Sequence, residues 1–107
     1  MAALIDLSVV KSISFGRKDL MMDLLEEWIM DTNDLIRIML SEIDQNKVEF
    51  QTKHKLKTNF CMIGSSSGIQ LCEQLIRRDG GYKKIMEEIE TVFQSTIQEI
   101  QKIKSEL

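Results

Sequence analysis

Residues 21–44 read MMDLLEEWIMDTNDLIRIMLSEID, and the spacing of their apolar side chains decides the fold. Met21, Leu25, Trp28, Leu35, Met39 and Ile43 step by threes, fours or their sum, with Thr32 in the gap. At about 3.6 residues per turn such steps return to one side of a helix. The stretch is therefore one long amphipathic helix with a continuous core stripe. The chain has no proline and only five glycines, so little breaks helix elsewhere. Leu, Ile, Met, Glu and Lys are plentiful while Val and aromatics are sparse, which favours helix over strand.

DLSVVKSISF at 6–15 reads as a short leader helix over about 6–14, capped by Asp6 or Ser8. The first long helix follows Gly16, and DQN at 44–46 supplies a turn. A second helix is expected from about Lys47 to Ile63, stopped by Gly64. Any of Ser65, Ser66 and Ser67 can cap the third, which carries Ile69, Cys72, Leu75 and Ile76 and ends at RRDGG, 77–81. The last helix repeats the stripe with Ile85, Ile89, Val92, Thr96, Ile100 and Ile103. Four stripes joined by short turns bury one another as an antiparallel up-down-up-down four-helix bundle. The expectation is one all-α domain spanning 1–107, with the bundle over about 17–106.

Composition narrows the class. With 107 residues, 43% hydrophobic and 29% charged, the chain suits one globular core and not a disordered tail. A net charge of −3 argues against a general nucleic-acid binder. No apolar run approaches the roughly 20 residues that span a bilayer, and the N-terminus has no basic leader of the signal-peptide kind. Cys61 and Cys72 read as reduced, mostly structural thiols of a cytoplasmic protein, with a disulfide between them as the alternative. A monomer is expected.

His54 is the only histidine. At 100° per residue Val48, Thr52, Leu56, Asn59, Phe60 and Ile63 share an arc of about 120°, the expected core face of the second helix. His54 falls opposite that arc, among Lys47, Phe50, Gln51, Lys57, Thr58 and Cys61. An exposed neutral imidazole offers a nucleophilic lone pair. Lys57, one turn on, can reach an anion bonded to the ring, while Lys47, Lys53 and Lys55 add a screened field. Phe50, unusual on a solvated face, suggests contact with a protein. No metal site is expected, because Phe50 and Thr58 at i−4 and i+4 cannot pair with His54 as ligands.

HKLKTNFCMIG, residues 54–64, resembles the signature of histidine-containing phosphotransfer (HPt) domains: His54, Leu56, Lys57, a small residue at Thr58, and Gly64. The leader, the first long helix, SSSGIQLCEQLIRR at 65–78 and the acidic Ile-rich tail extend the resemblance over the whole chain. It implies that His54 takes a phosphoryl group from the phospho-aspartate of a receiver domain and passes it to another. Lys57 would stabilise phosphohistidine, and Gly64 would end the helix so the next packs closely. Phe50, Gln51, Thr58, Cys61 and Lys47 would form the docking face. The domain itself would need no cofactor, Mg²⁺ belonging to the receiver. The family usually has Gly where Thr58 stands, and the Thr58 hydroxyl is placed to contact the phosphoryl group or the partner. A bacterial origin and the cytoplasmic end of a hybrid sensor kinase fit the resemblance, as does a free carrier. Lys55 after the histidine and the absence of proline are unlike a self-phosphorylating kinase dimerisation domain. No segment looks like an ATP lid, so no autokinase activity is expected. The alternative is a helical adaptor, or a pseudo-HPt domain that binds receivers without accepting phosphate.

Overall fold

Five helices follow one another: α1 (Ser8–Ile13), α2 (Lys18–Asp44), α3 (Phe50–Ile63), α4 (Ser66–Arg77) and α5 (Tyr82–Glu106). The structure, a computed structural model, describes residues 4–107, and those residues hold helix and connecting turns without a strand. None of these helices is long and apolar enough to cross a membrane.

The apolar stripe of α2 organises the core. Met21, Leu25, Trp28, Thr32 and Met39 are buried along α2. Ile36 takes the buried place expected of Leu35, which is only half-buried, as is Ile43. A straight helix drifts relative to a strict seven-residue repeat, and over a helix of this length the drift turns Leu35 outward and Ile36 in. On α5, Ile85, Ile89, Thr96 and Ile100 are buried as expected, and Met86 and Phe93 join them while Val92 and Ile103 are half-buried. Trp28 is the hub. Its ring meets Phe60 edge-on at 5.8 Å between centroids and Phe93 at 5.8 Å, and its indole N–H donates to the Asn59 carbonyl at 2.6 Å. Each such side chain contributes about 1.5–3 kcal/mol by burial.

The start of α3 differs from the expectation. Asn46 adopts a left-handed φ of 56°, and the Lys47 amide donates back to the Glu42 carbonyl at 2.9 Å. That turn ends α2 and leaves residues 47–49 non-helical, so α3 begins at Phe50. Val48, expected in the helical core arc, is instead a half-buried loop residue. The N-cap, Glu49, has extended backbone and no capping side chain of its own. Glu42 caps the turn from the neighbouring helix, accepting from the Glu49 amide at 3.1 Å and the Thr52 hydroxyl at 2.9 Å.

At its other end α3 stops at Gly64, whose φ of 68° is the left-handed cap that glycine adopts freely. The same glycine allows a close approach: a Cβ here would overlap the Asp6 backbone, and the Asp6 amide donates to the Ile63 carbonyl at 3.1 Å. Gly64 therefore seats the leader as well as ending the helix. The leader helix is shorter than expected, with Asp6 accepting from the Ser8 hydroxyl and amide ahead of it. Those bonds hold the Asp6 carboxyl below the usual carboxylate range, the hydroxyl contributing most. Ser65 caps α4 by accepting from the Gly68 amide at 3.1 Å. Cys72 and Leu75 are buried on that helix, whereas Ile69 and Ile76 are half-buried.

Helices α2 and α4 each pack against both α3 and α5, and α1 lies against α2 and α3. Gly68 makes the α3–α4 approach close, because the fully buried Phe60 ring occupies the space a Cβ would take.

Candidate functional site

The site is built on α3, whose buried face of Thr52, Lys53, Leu56, Phe60 and Ile63 determines what points outward. His54 lies on the exposed side. Its imidazole packs against the Phe50 ring, one turn earlier, with centroids 4.3 Å apart and planes inclined by 60°. Phe50 remains 62% exposed, so the pair presents an aromatic ring at the surface. One turn later the Thr58 hydroxyl donates to the His54 carbonyl at 3.0 Å. The hydroxyl proton expected to reach a phosphoryl group or a partner is thus engaged with the backbone of its own helix.

His54 opens onto a groove between α2 and α3. Gln51, His54, Lys55, Thr58 and Asn59 line it from α3, and Asp31 and Leu35 from α2. Asn59, expected in the core, is half-buried and fixes the groove wall: its amide donates to Asp31 Oδ2 at 3.2 Å and to Thr32 Oγ1 at 3.1 Å. Together with the indole bond to its carbonyl, these contacts hold α3 against α2 beside the histidine. The wall supplied by Asp31 and Leu35 was not foreseen, because it depends on which helix lies alongside α3.

The lysines divide. Lys57 is half-buried and does not line the groove with His54, whereas Lys55 does. The Lys57 charge is felt at Cys72 on α4, where it opposes the effect of burial. Lys47 is exposed, but it belongs to the α2–α3 connection and lines a separate recess with Asp79 and Tyr82, so it is not on the helical face of His54. Lys53 departs furthest from expectation. It is 6% exposed, and its ammonium donates to the Arg78 carbonyl at 2.8 Å and the Tyr82 hydroxyl at 2.9 Å, lying 4.7 Å from the Tyr82 ring centre. It fastens α3 to the α4–α5 turn and contributes no exposed charge beside His54. A lysine on the core side of a helix is rare enough that sequence pattern gives little signal for it.

Gln51 and Cys61 are exposed as expected. Cys61 and Cys72 are both free thiols. Burial, reinforced by the nearby Cys61 and opposed by Lys57, pushes the Cys72 thiol up to about 12. Among the described residues, no group of His, Cys, Asp and Glu is arranged to hold a metal ion. The chemistry available is that of one exposed imidazole, an aromatic ring in contact with it, and a groove with cationic and anionic walls.

No family model matches the chain, and the curated proteins and solved structures likewise give no match.

Proposed function

We propose that this chain is a histidine-containing phosphotransfer domain in which His54 carries a phosphoryl group between receiver domains. The observation that carries the reading is the exposed imidazole of His54, set on α3 in the family's spacing: Leu56 buried two residues on, and Gly64 ending the helix. The closed circuit of contacts, α2 to α3 to α4 to α5 and back to α2, supports an antiparallel up-down-up-down four-helix bundle with α1 as its leader.

In the proposed step, a receiver bearing phospho-aspartate docks over Phe50 and the groove. The lone pair of the neutral imidazole nitrogen attacks phosphorus in line. An N–P bond forms, the P–O bond to aspartate breaks, and the carboxylate leaves with the electron pair. The proton on the other ring nitrogen is free to pass to solvent. Onward transfer is the same displacement reversed. Such chemistry needs mainly positioning and charge stabilisation, and the receiver supplies the metal ion. Lys57, one turn beyond, supplies electrostatic support to the bound phosphoryl group, and Lys55 adds charge at the groove.

The test is phosphotransfer from a panel of purified, phosphorylated receivers. Labelling at a single acid-labile site that disappears in His54→Gln is expected. Labelling that survives the substitution, or a protein that no receiver labels, overturns the reading.

A further inference from the structure

We propose that Phe50 is the positioning residue for His54: its ring holds the imidazole in one orientation before any partner arrives. This goes beyond a docking contact, yet its consequence for transfer rests on the phosphotransfer reading above.

An exposed side chain at a helix surface ordinarily samples several rotamers, and a first helical turn ordinarily frays. At Phe50 the fraying is opposed. Glu42 accepts from the Glu49 amide and the Thr52 hydroxyl on either side of Phe50, so the turn that carries the ring is fastened to α2. Four residues on, a helix brings the next side chain over the same face, and that residue is His54. The two rings meet at 4.3 Å with a tilt of 60°, slightly closer than the spacing of about 4.5–7 Å usual for aromatic pairs, so they are in direct contact. On the other flank stands the β-branched Thr58, itself held by its bond to the His54 carbonyl. The imidazole thus has an aromatic ring against it one turn earlier and a side chain with few rotamers one turn later.

A nucleophile already oriented loses less freedom when the phosphorus is presented, so positioning speeds the step within the complex. A docking contact alone would alter affinity instead. The two roles separate in single-turnover transfer measured against receiver concentration. Phe50→Ala is expected to lower the saturating transfer rate by about two- to tenfold, the factor one aromatic pair carries. Phe50→Tyr is expected to restore it. A mutant that changes only the half-saturating receiver concentration overturns the proposal.

Proton and carbon NMR of the unphosphorylated full chain tests the contact without any receiver. The single histidine makes assignment direct. In the wild type the His54 ring protons are expected upfield through the Phe50 ring current, with restricted imidazole motion, and Phe50→Ala is expected to abolish both. Ring shifts and relaxation identical in the two proteins overturn the proposal. If no phosphorylated receiver labels the wild type, the transfer reading fails, and the NMR comparison still decides whether Phe50 holds the ring.

Discussion

Glu42 near the end of α2 accepts a hydrogen bond from the Thr52 hydroxyl at 2.9 Å and thereby caps a helix to which it does not belong. The same carboxylate takes the Glu49 amide at 3.1 Å. Orphan amides at a helix start need an acceptor, and substituting a capping side chain by Ala costs about 0.5–2 kcal/mol. Glu42→Ala is expected to lower stability by about 1 kcal/mol, read from the midpoint of urea unfolding. It should also weaken the ring-current shift at His54, because it frees the turn that carries Phe50. A mutant with an unchanged midpoint and unchanged histidine shifts would mean that water or another acceptor caps the turn equally well.

The cap explains why part of the fold was legible in the sequence and part was not. Local signals were sufficient where the structure uses local chemistry: the α2 stripe, a cap from one of the three serines before α4, and Gly64 in a left-handed turn. They failed at residues 47–49, where the decisive acceptor comes from the preceding helix and the turn is made by a left-handed Asn46. The site followed the same division. That His54 faces outward was readable, since it lies opposite Leu56 and Phe60 on the helical wheel. The α2 wall of its groove was not, because Asp31 and Leu35 reach it only through helix pairing. Lys53 was misread for a related reason: a long aliphatic stem can lie in the core while its ammonium finds partners on another helix.

Lys53 offers a test of how that buried ammonium is tolerated. Its partners are a carbonyl, a hydroxyl and an aromatic face, with no carboxylate among them. Removing a buried charge altogether recovers its desolvation cost, whereas removing one partner leaves the charge worse solvated. Lys53→Met, which keeps the aliphatic stem, is therefore expected to change stability by less than about 1 kcal/mol. Tyr82→Phe is expected to cost more, about 1–3 kcal/mol, although it deletes only one oxygen. The reverse ranking in chemical denaturation would show that the ammonium is stabilised chiefly by its Arg78 bond.

Gly68 sits where a methyl group has no room. A Cβ at this position would overlap the Phe60 ring, which is fully buried and packed edge-on against Trp28. Overpacking of this kind costs about 1–3 kcal/mol because the ring cannot move without leaving its rotamer. Gly68→Ala is expected to show that loss, together with altered emission from Trp28, the only tryptophan. In a Phe60→Leu background the same substitution should cost less, and the difference in a double-mutant cycle measures the clash. Additive losses would show that the Phe60 ring is not what excludes the methyl group.

The two thiols are expected to respond oppositely to alkylation and to give the protein an alkaline stability limit. Cys61 is exposed and Cys72 is buried, so iodoacetamide at neutral pH should modify Cys61 alone in the native protein. Burial first, and the neighbouring Cys61 second, raise the Cys72 thiol from 9.0 to about 12. A thiol that ionises more easily once unfolded binds more protons in the folded state at high pH. Stability from this group is then complete below about pH 9 and declines as pH rises toward about 12. The informative quantity is the difference between wild type and Cys72→Ala. The mutant is expected to be less stable at pH 7, through the small cavity it leaves, and to lose less stability than wild type between pH 9 and 11. Parallel stability curves for the two proteins across that window would place the Cys72 thiol in contact with water.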